Sequence, residues 1–411
     1  MSNAENNYLV VLGASSDQLF MIRTAQQMGL KVLAVDGNAD APGCQVADAF
    51  AHVSTREVPE VLAWLNDFKR QGATLLGVST MGSDIPDVVA AVATHLGTPT
   101  ISEEDAAVAV DKVGMKQRFA EHAVPIPWFA EISNYDELRQ IIAVRGINLV
   151  IKPNDRSGSR GVFLLDEHCD VEDLFYKARD FSFSKRVLVE EFLPGLQIST
   201  ETIMVDGHAH TPGFADRNYD LLERFRPQIM ENGGWVPSCL DQTERAAVEA
   251  LVEKASLALG VRNGVTKGDV VMSPDGPKMI EMAARLSGGD FCESLVPLGT
   301  GVNYVKTVIE IAIGRQPDLT SLEPSRDQAV ANRYFFPQPG RLIKVEGEDE
   351  VRSWEWLHKL EFWYQPGDEV PPSLSHAHRF GVFVVTAPDR EELERRVDKV
   401  YQTIRIITEP L

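Results

Sequence analysis

Long apolar runs are the first thing this sequence lacks. Nowhere in its 411 residues do eighteen consecutive apolar residues occur, so a membrane-spanning helix is not expected. The opening MSNAENNYLVVLG has no basic stretch ahead of an apolar one, so no secretory leader is expected and a cytoplasmic location is. Cysteine is scarce: Cys44, Cys169, Cys239 and Cys292 show no CxxC or Cys/His spacing. That argues against a zinc site and for free thiols in a reducing compartment. Positive charge is also short, with 40 Lys+Arg against 60 Asp+Glu and a formal net charge of −20. This excludes general gripping of nucleic-acid phosphates, though not a local basic pocket for a small phosphate ligand. Neither a Walker A loop nor G-x-G-x-x-G is present; the loop after the first apolar run reads Gly13-Ala14-Ser15-Ser16-Asp17-Gln18. Without the second and third glycines a backbone cannot come close to a pyrophosphate, so nicotinamide binding is disfavoured. Asp36 stands where a ribose acid could sit, yet a plain strand-end cap explains it better.

What is present is a chain too long for one core, with 44% hydrophobic and 24% charged residues. YLVVLGASS, the helical DQLFMIRTAQQMGL, KVLAVDGN and GATLLGVST form a β–α–β pattern, so residues 1 to about 100 are expected to be a doubly wound α/β unit. One or two helices follow over 101–125, capped by Ser102. Short strands and helices then alternate to about 190, as in a small α+β unit with its own sheet. Longer antiparallel strands and two strong helices, TERAAVEALVEKASLALG and GVNYVKTVIEIAIG, occupy 198–318. A β-rich tail closed by one helix ends the chain.

Three stretches carry chemistry. In VIKPNDRSGSRGV (150–162) Lys152 ends a strand, and a loop containing Ser157, Gly158, Ser159 and Gly161 leaves backbone N–H groups uncovered for phosphate oxygens. A plain hairpin loop would read the same way. In RVLVEEFLPG (186–195) a strand runs into Glu190 and Glu191 and then a turn, an edge suited to an adenine rim; one solvated and one salt-bridged glutamate is the simpler reading. In GVTKGDVVMSPDGPKMIEMAARLSGG, Asp269 and Glu281 flank an Asp-Gly turn that predicts a hairpin, which would set the two acids side by side. Paired carboxylates invite a hard cation such as Mg²⁺, and Arg285 offers a guanidinium fork to the same phosphates. The alternative is a surface acid pair with its counter-charge.

The order of these stretches resembles the ATP-grasp superfamily of ADP-forming ligases, over almost the whole chain. DKVGMK (111–116), with Lys112, looks like its first nucleotide lysine; IKPNDRSGSRGV like the second lysine, Lys152, and the phosphate loop; VEEFLPG like the adenine hinge. The resemblance implies side-chain contacts from Glu190 and Glu191, backbone contacts from Phe192 and Leu193, and Gln197 facing ribose. It implies Asp269 and Glu281 as metal acids, and Lys152, Glu281 and Arg285 as the catalytic set. It also implies ATP and two Mg²⁺ ions, or Mn²⁺, as cofactors. The expected fold is mixed α/β and α+β: a pre-ATP-grasp α/β domain (1–110), a small lid subdomain (111–190), a large subdomain with the metal and substrate site (191–318) and a C-terminal α+β unit (319–411). Many members have Asn two residues after the second acid; here it is Ala283, and EMAARLSGG looks instead like the E-x-x-x-R-x-x-G of amino-acid and dipeptide ligases. The implied activity is amide formation through an acyl phosphate, on a small-molecule carboxylate and an amine, by a homodimer. Alternatives are a purine-pathway phosphoribosyl ligase or carboxylase of the same fold, and a catalytically idle nucleotide-binding protein. Substrate contacts are sought in Arg217, Arg224, Arg226 and the run Ser287, Gly288, Gly289. His208, His210, His376 and His378 are expected to face solvent.

Overall fold

Val, Leu and Ile alternate with Gly-rich turns at the start of the chain, and in the computed structural model, which describes residues 6–288 and 290–411, those runs form parallel strands. Their sheet order is Ala49–His52, Lys31–Asp36, Asn7–Leu12, Thr74–Ser79. Both faces are covered, as a parallel sheet requires. Leu33, Val35 and Leu75 pack under the helices Val58–Arg70 and Pro86–Leu96 on one side. On the other, Leu9 and Val11 share a core with Met21 and Ile22 of the helix Leu19–Gln27 and with Tyr304 and Val308 of Tyr304–Ala312. Asp36 is a cap: its carboxylate accepts from the N–H groups of Ala14 (2.7 Å) and Asn38 (2.8 Å).

The stretch 101–125 forms two helices, Glu103–Val110 and Lys112–Glu121, and Ser102 caps the first by accepting from Asp105 N–H. A four-stranded sheet follows in the order Phe129–Ile132, Val187–Glu191, Leu149–Pro153, Phe163–Leu164. The central sheet has eight strands. Gly276–Ala283, Gly264–Ser273, Gln197–Val205, His208–Arg217 and Gly234–Val236 continue directly into Ala329–Phe335, Gly381–Ala387 and Leu357–Phe362. The C-terminal strands therefore extend the sheet that carries Asp269 and Glu281. Among the described residues no helix is long and apolar enough to cross a membrane.

Two places tie these units together. Gly77 lies where a Cβ would stand 2.3 Å from the Ala312 carbonyl, so the N-terminal sheet and the helix Tyr304–Ala312 touch backbone to side-chain-free backbone. Beneath the far end of the hairpin strand, the fully buried Glu201 accepts from the Ser287 hydroxyl, and the Cys292 thiol lies 3.8 Å from it. Burial pushes the Glu201 carboxyl up to about 7, against the pull of Ser287, Arg285 and Lys267.

Two stability outcomes follow from these contacts. Gly77→Val forces the packed backbones apart and should cost about 1–3 kcal/mol, read as a lowered Tm and faster limited proteolysis. Glu201 holds a proton in the folded state between its ordinary value of 4.5 and about 7. Its contribution is thus complete below 4.5 and lost as pH rises through 7. Glu201→Gln should gain stability relative to the parent by on the order of 2 kcal/mol between pH 5 and pH 8. A Tm difference that stays constant with pH would show that Glu201 does not titrate there.

Candidate active site

The hairpin predicted from the Asp-Gly turn forms, and its register sets Asp269 directly opposite Glu281. A glutamate and an aspartate held face to face need cations, and each has them. Asp269 pairs with Lys267 and with Arg217 (3.0 Å); Glu281 pairs with Lys112 (2.8 Å) and lies 3.9 Å from Lys152. Burial alone would raise the Glu281 carboxyl, but Lys112 and Lys152 outweigh it and hold it near 2. Both acids keep part of their surface toward a cavity of about 690 Å³.

The opposite wall comes from the four-stranded sheet. Val150 and Lys152 pair with Glu190 and Leu188 in adjacent strands, so Lys152 and Glu190 enter the same layer from two strands. Glu190 is buried between Lys152 and Lys116, the latter 2.5 Å away. Burial lowers the Lys116 ammonium to about 8, although Glu190 opposes it. Lys112 is aimed into the cavity by its helix start, where Asp111 accepts from Gly114 N–H (2.8 Å) and is gripped by Arg186 (2.6 Å). At the rim, Glu191, Phe192, Leu193 and Gln197 line the cavity. The Phe192 N–H is engaged with the Asn148 carbonyl at 3.3 Å.

The loop between Pro153 and Phe163 is folded over the cavity and tied down at several points. Asp155 accepts from the N–H groups of Phe183 and Ser184 (2.9 and 2.8 Å), and Arg156 stacks on Phe183 at 3.7 Å. The Ser159 hydroxyl donates to the Ile229 carbonyl (2.6 Å), and the His376 N–H donates to the Gly158 carbonyl (3.2 Å). Gly158 (φ +66°) and Ser159 (φ +59°) are left-handed, which turns the loop back on itself. Ser157, Gly158 and Ser159 line the cavity; Gly161 does not, because it is packed against Phe181 and Pro153.

The N-terminal unit supplies the third wall through Ser16, Asp17, Met81, Gly82 and Asp84. Arg285 lies along it, with Nε 2.6 Å from Asp84 Oδ1. Gly82 N–H donates to the Leu286 carbonyl (3.0 Å), and a Cβ on Gly288 would stand 2.9 Å from the Asp17 carboxylate. The run after Glu281 is thereby clamped between two units. Ser287 and Gly288 line the cavity, and Gly289 lies outside the described residues.

Some of the expected substrate contacts are not in the site. Arg217 lines it, but Arg224 donates to the Phe336 carbonyl (2.8 Å) and Arg226 pairs with Glu223 (2.8 Å) and Asp166 (3.3 Å), both away from the cavity. Their strand ends before them, at Arg217, so the alternation that aims Arg217 inward does not extend to them. His208 is exposed as expected, whereas His376 lines the cavity with its Nε2 buried, because the C-terminal turn folds back over the loop. Reading by motif missed Lys116, Glu231, Lys267, Tyr334, Lys359 and Arg379. Lys116 sits one helical turn beyond Lys112, and Lys267 two residues before Asp269 on the same strand face; those spacings could have found them. No local signal marks the other four.

The donor set fits a hard divalent cation. Asp269 and Glu281 supply oxygen ligands at the cavity wall, and among the described residues no group of three or more His, Cys, Asp or Glu surrounds one point. Two carboxylates without a full cage suit Mg²⁺, which keeps water and substrate phosphate in its remaining positions.

Residues 109–289 match the ATP-grasp domain family, and 333–409 match the family described as L-amino acid ligase C-terminal domain 2. The alanine–anticapsin ligase of Bacillus subtilis is 25% identical over 59% of this chain and 56% of its own length. The formate-dependent phosphoribosylglycinamide formyltransferase of Syntrophotalea carbinolica is 24% identical over 97% of this chain and 96% of its own. The crystal structure of L-amino acid ligase from Bacillus licheniformis superposes with a TM-score of 0.82, covering 98% of this chain and 99% of that one at 19% identity, a likeness of fold. With the paired acids, the two lysines beneath a strand-end hinge and the glycine-serine loop all facing one cavity, the chain carries an ATP-grasp domain over 109–289 and an L-amino acid ligase C-terminal domain over 333–409.

Proposed function

We propose that this protein is an ADP-forming carboxylate–amine ligase that joins amino acids, or acids and amines close to them, through an acyl phosphate. The observation that carries the reading is the placement of Asp269 opposite Glu281, facing Lys112, Lys152 and Arg285 across one cavity. ATP lies with its base at Glu190–Leu193, its ribose at Gln197 and its phosphates under Ser157–Ser159. A carboxylate oxygen of the first substrate attacks the γ-phosphorus, the bond to ADP breaks, and an acyl phosphate forms. The amine of the second substrate then attacks the acyl carbon, phosphate leaves, and the nitrogen gives up its proton.

Lys112, Lys152 and Arg285 hold fixed positive charge around the phosphates, so little reorganisation is needed as charge moves during transfer. Mg²⁺ held by Asp269 and Glu281 would supply further neutralisation of that charge. Lys152 needs Glu190 beside it: burial alone would lower its ammonium, and Glu190 and Glu281 keep it protonated. The loop tied to Ile229 and Gly158 to His376 screens the acyl phosphate from water.

A phosphoribosyl substrate is the second reading, favoured by the full-length likeness to the phosphoribosylglycinamide enzyme. Such a substrate carries a second phosphate toward the N-terminal wall. That wall presents Asp17 and Asp84, and the guanidinium against it, Arg285, is already paired with Asp84. Acids there oppose a phosphate, so the amino-acid reading is preferred.

ADP release measured with MgATP and pairs of substrates tests this directly. ADP should form only when an acid and an amine are both present, and phosphoribosylamine-type substrates should give none; ADP formation only with the latter reverses the preference. Glu281→Gln should lower turnover by roughly 10²–10³-fold or more at unchanged Tm. Retained turnover would remove Glu281 from the reaction.

A further inference from the structure

The cavity extends well beyond the nucleotide residues, toward a wall made largely by the C-terminal unit, whose side chains have no part in the reaction just described. Arg379 and His376 stand there on one short turn. The Arg379 side chain is nine-tenths buried, with its guanidinium stacked 3.6 Å from the Tyr334 ring. It donates through Nη2 to the Glu231 main-chain carbonyl (2.6 Å), while its Nε is buried with no hydrogen-bond partner among the described residues. The His376 Nε2 is likewise buried and without a partner, and both residues line the cavity. Leaving two buried nitrogens unmade costs about 1–3 kcal/mol each, so a site built this way is expected to receive an acceptor from outside.

Charge points to the same ligand. Glu231 pairs closely with Arg217 and only distantly with Arg379, at 3.9 Å. Asp269, the other partner of Arg217, is a metal acid in the proposed reaction. Against Arg217 and Arg379 there then remains one carboxylate, Glu231, which leaves one positive charge facing the cavity. The chain of contacts Asp269–Arg217–Glu231–Arg379 also sets the distance scale: this wall is two side chains from the metal acids. That is about the span of one small molecule. A guanidinium fork suits a planar carboxylate, and so does the imidazole beside it in its Nε2–H tautomer.

We propose that Arg379 and His376, with Arg217 behind them, form a subsite for a carboxylate that the reaction does not consume. Naming that carboxylate as part of a substrate rests on the ligase reading. Two sources share the chemistry: the α-carboxylate of an acceptor amino acid, and the distal carboxylate of a dicarboxylic donor. Trp363, half-exposed on the same wall, flanks the subsite with an apolar face. The bond from the His376 main-chain N–H to the Gly158 carbonyl places the subsite beneath the phosphate loop, so a carboxylate there lies inside the closed cavity.

The test is equilibrium binding to the full chain loaded with MgADP, by calorimetry. The probes are L-alanine and L-phenylalanine against their carboxamides, and succinate against its monomethyl ester. The parent protein should bind at least one acid about tenfold or more tighter than its uncharged derivative. Loss in the amino-acid arm assigns the acceptor; loss in the succinate arm assigns the donor. Arg379→Gln should reduce that ratio to within about twofold, and Arg379→Lys should restore part of it. His376→Ala, which removes the ring but keeps the main-chain N–H that holds Gly158, should reduce it about threefold or more. MgADP affinity and Tm should be unchanged in every variant used. A parent that binds no probe, or binds acid and derivative alike, overturns the subsite, as do Arg379→Gln and His376→Ala proteins that keep the full ratio. Because binding needs no turnover, an Arg379-dependent preference in a protein that forms no ADP upholds the subsite and refutes the ligase reading alone.

Discussion

Two carboxylates held opposite each other across an antiparallel hairpin repel, and much of this chain is arranged around that repulsion. Asp269 and Glu281 draw in Lys267 and Arg217 from the central sheet and Lys112 and Lys152 from the helix and the smaller sheet. Two of these cations have a second acid, Glu231 for Arg217 and Glu190 for Lys152, and Glu190 also holds Lys116. Buried charges are tolerated only when paired, so the seam between the two sheets is a continuous set of ion pairs rather than an apolar contact. The same arrangement leaves positive charge available as soon as a cation occupies the acids. A polyphosphate is the ligand that such a seam suits.

The N-terminal and C-terminal units act on this seam from opposite sides. The first clamps the segment after Glu281 through Gly82 and Asp84, fixing the direction of Arg285. The second continues the central sheet through Ala329–Phe335 and Gly381–Ala387, which brings the turn at His376 over the phosphate loop. One consequence is that the loop closes onto residues more than two hundred positions further along the chain. Nucleotide grip and substrate wall are therefore mechanically joined by the hydrogen bond between His376 and Gly158.

Local patterns made the elements legible. The alternation around Asp-Gly gave the hairpin, but an unbroken two-residue turn would set Asp269 against Ile280; a one-residue register shift between Asp269 and Val270 places it against Glu281. Ser102 capped its helix, and Asp36 proved a cap rather than a ribose acid, in keeping with the broken glycine fingerprint. Arg224 and Arg226 could not be distinguished from Arg217 by composition, because the difference is where a strand ends. His376 resembled a surface histidine because nothing nearby in sequence covers it.

The α/β start was legible from the residues alone, as was the order of lysines, glycine-serine loop, hinge and paired acids that marks an ATP-grasp domain. These features are set by hydrogen-bonding periodicity and by residues within a few positions of one another. Packing between distant segments set the rest: Lys116 shares Glu190 with Lys152, Asp84 holds Arg285, and Arg379 and His376 wall the cavity. Those contacts join residues far apart in the chain. Their partners are chosen by how sheets stack and where charge must be neutralised, and no local spacing encodes that choice.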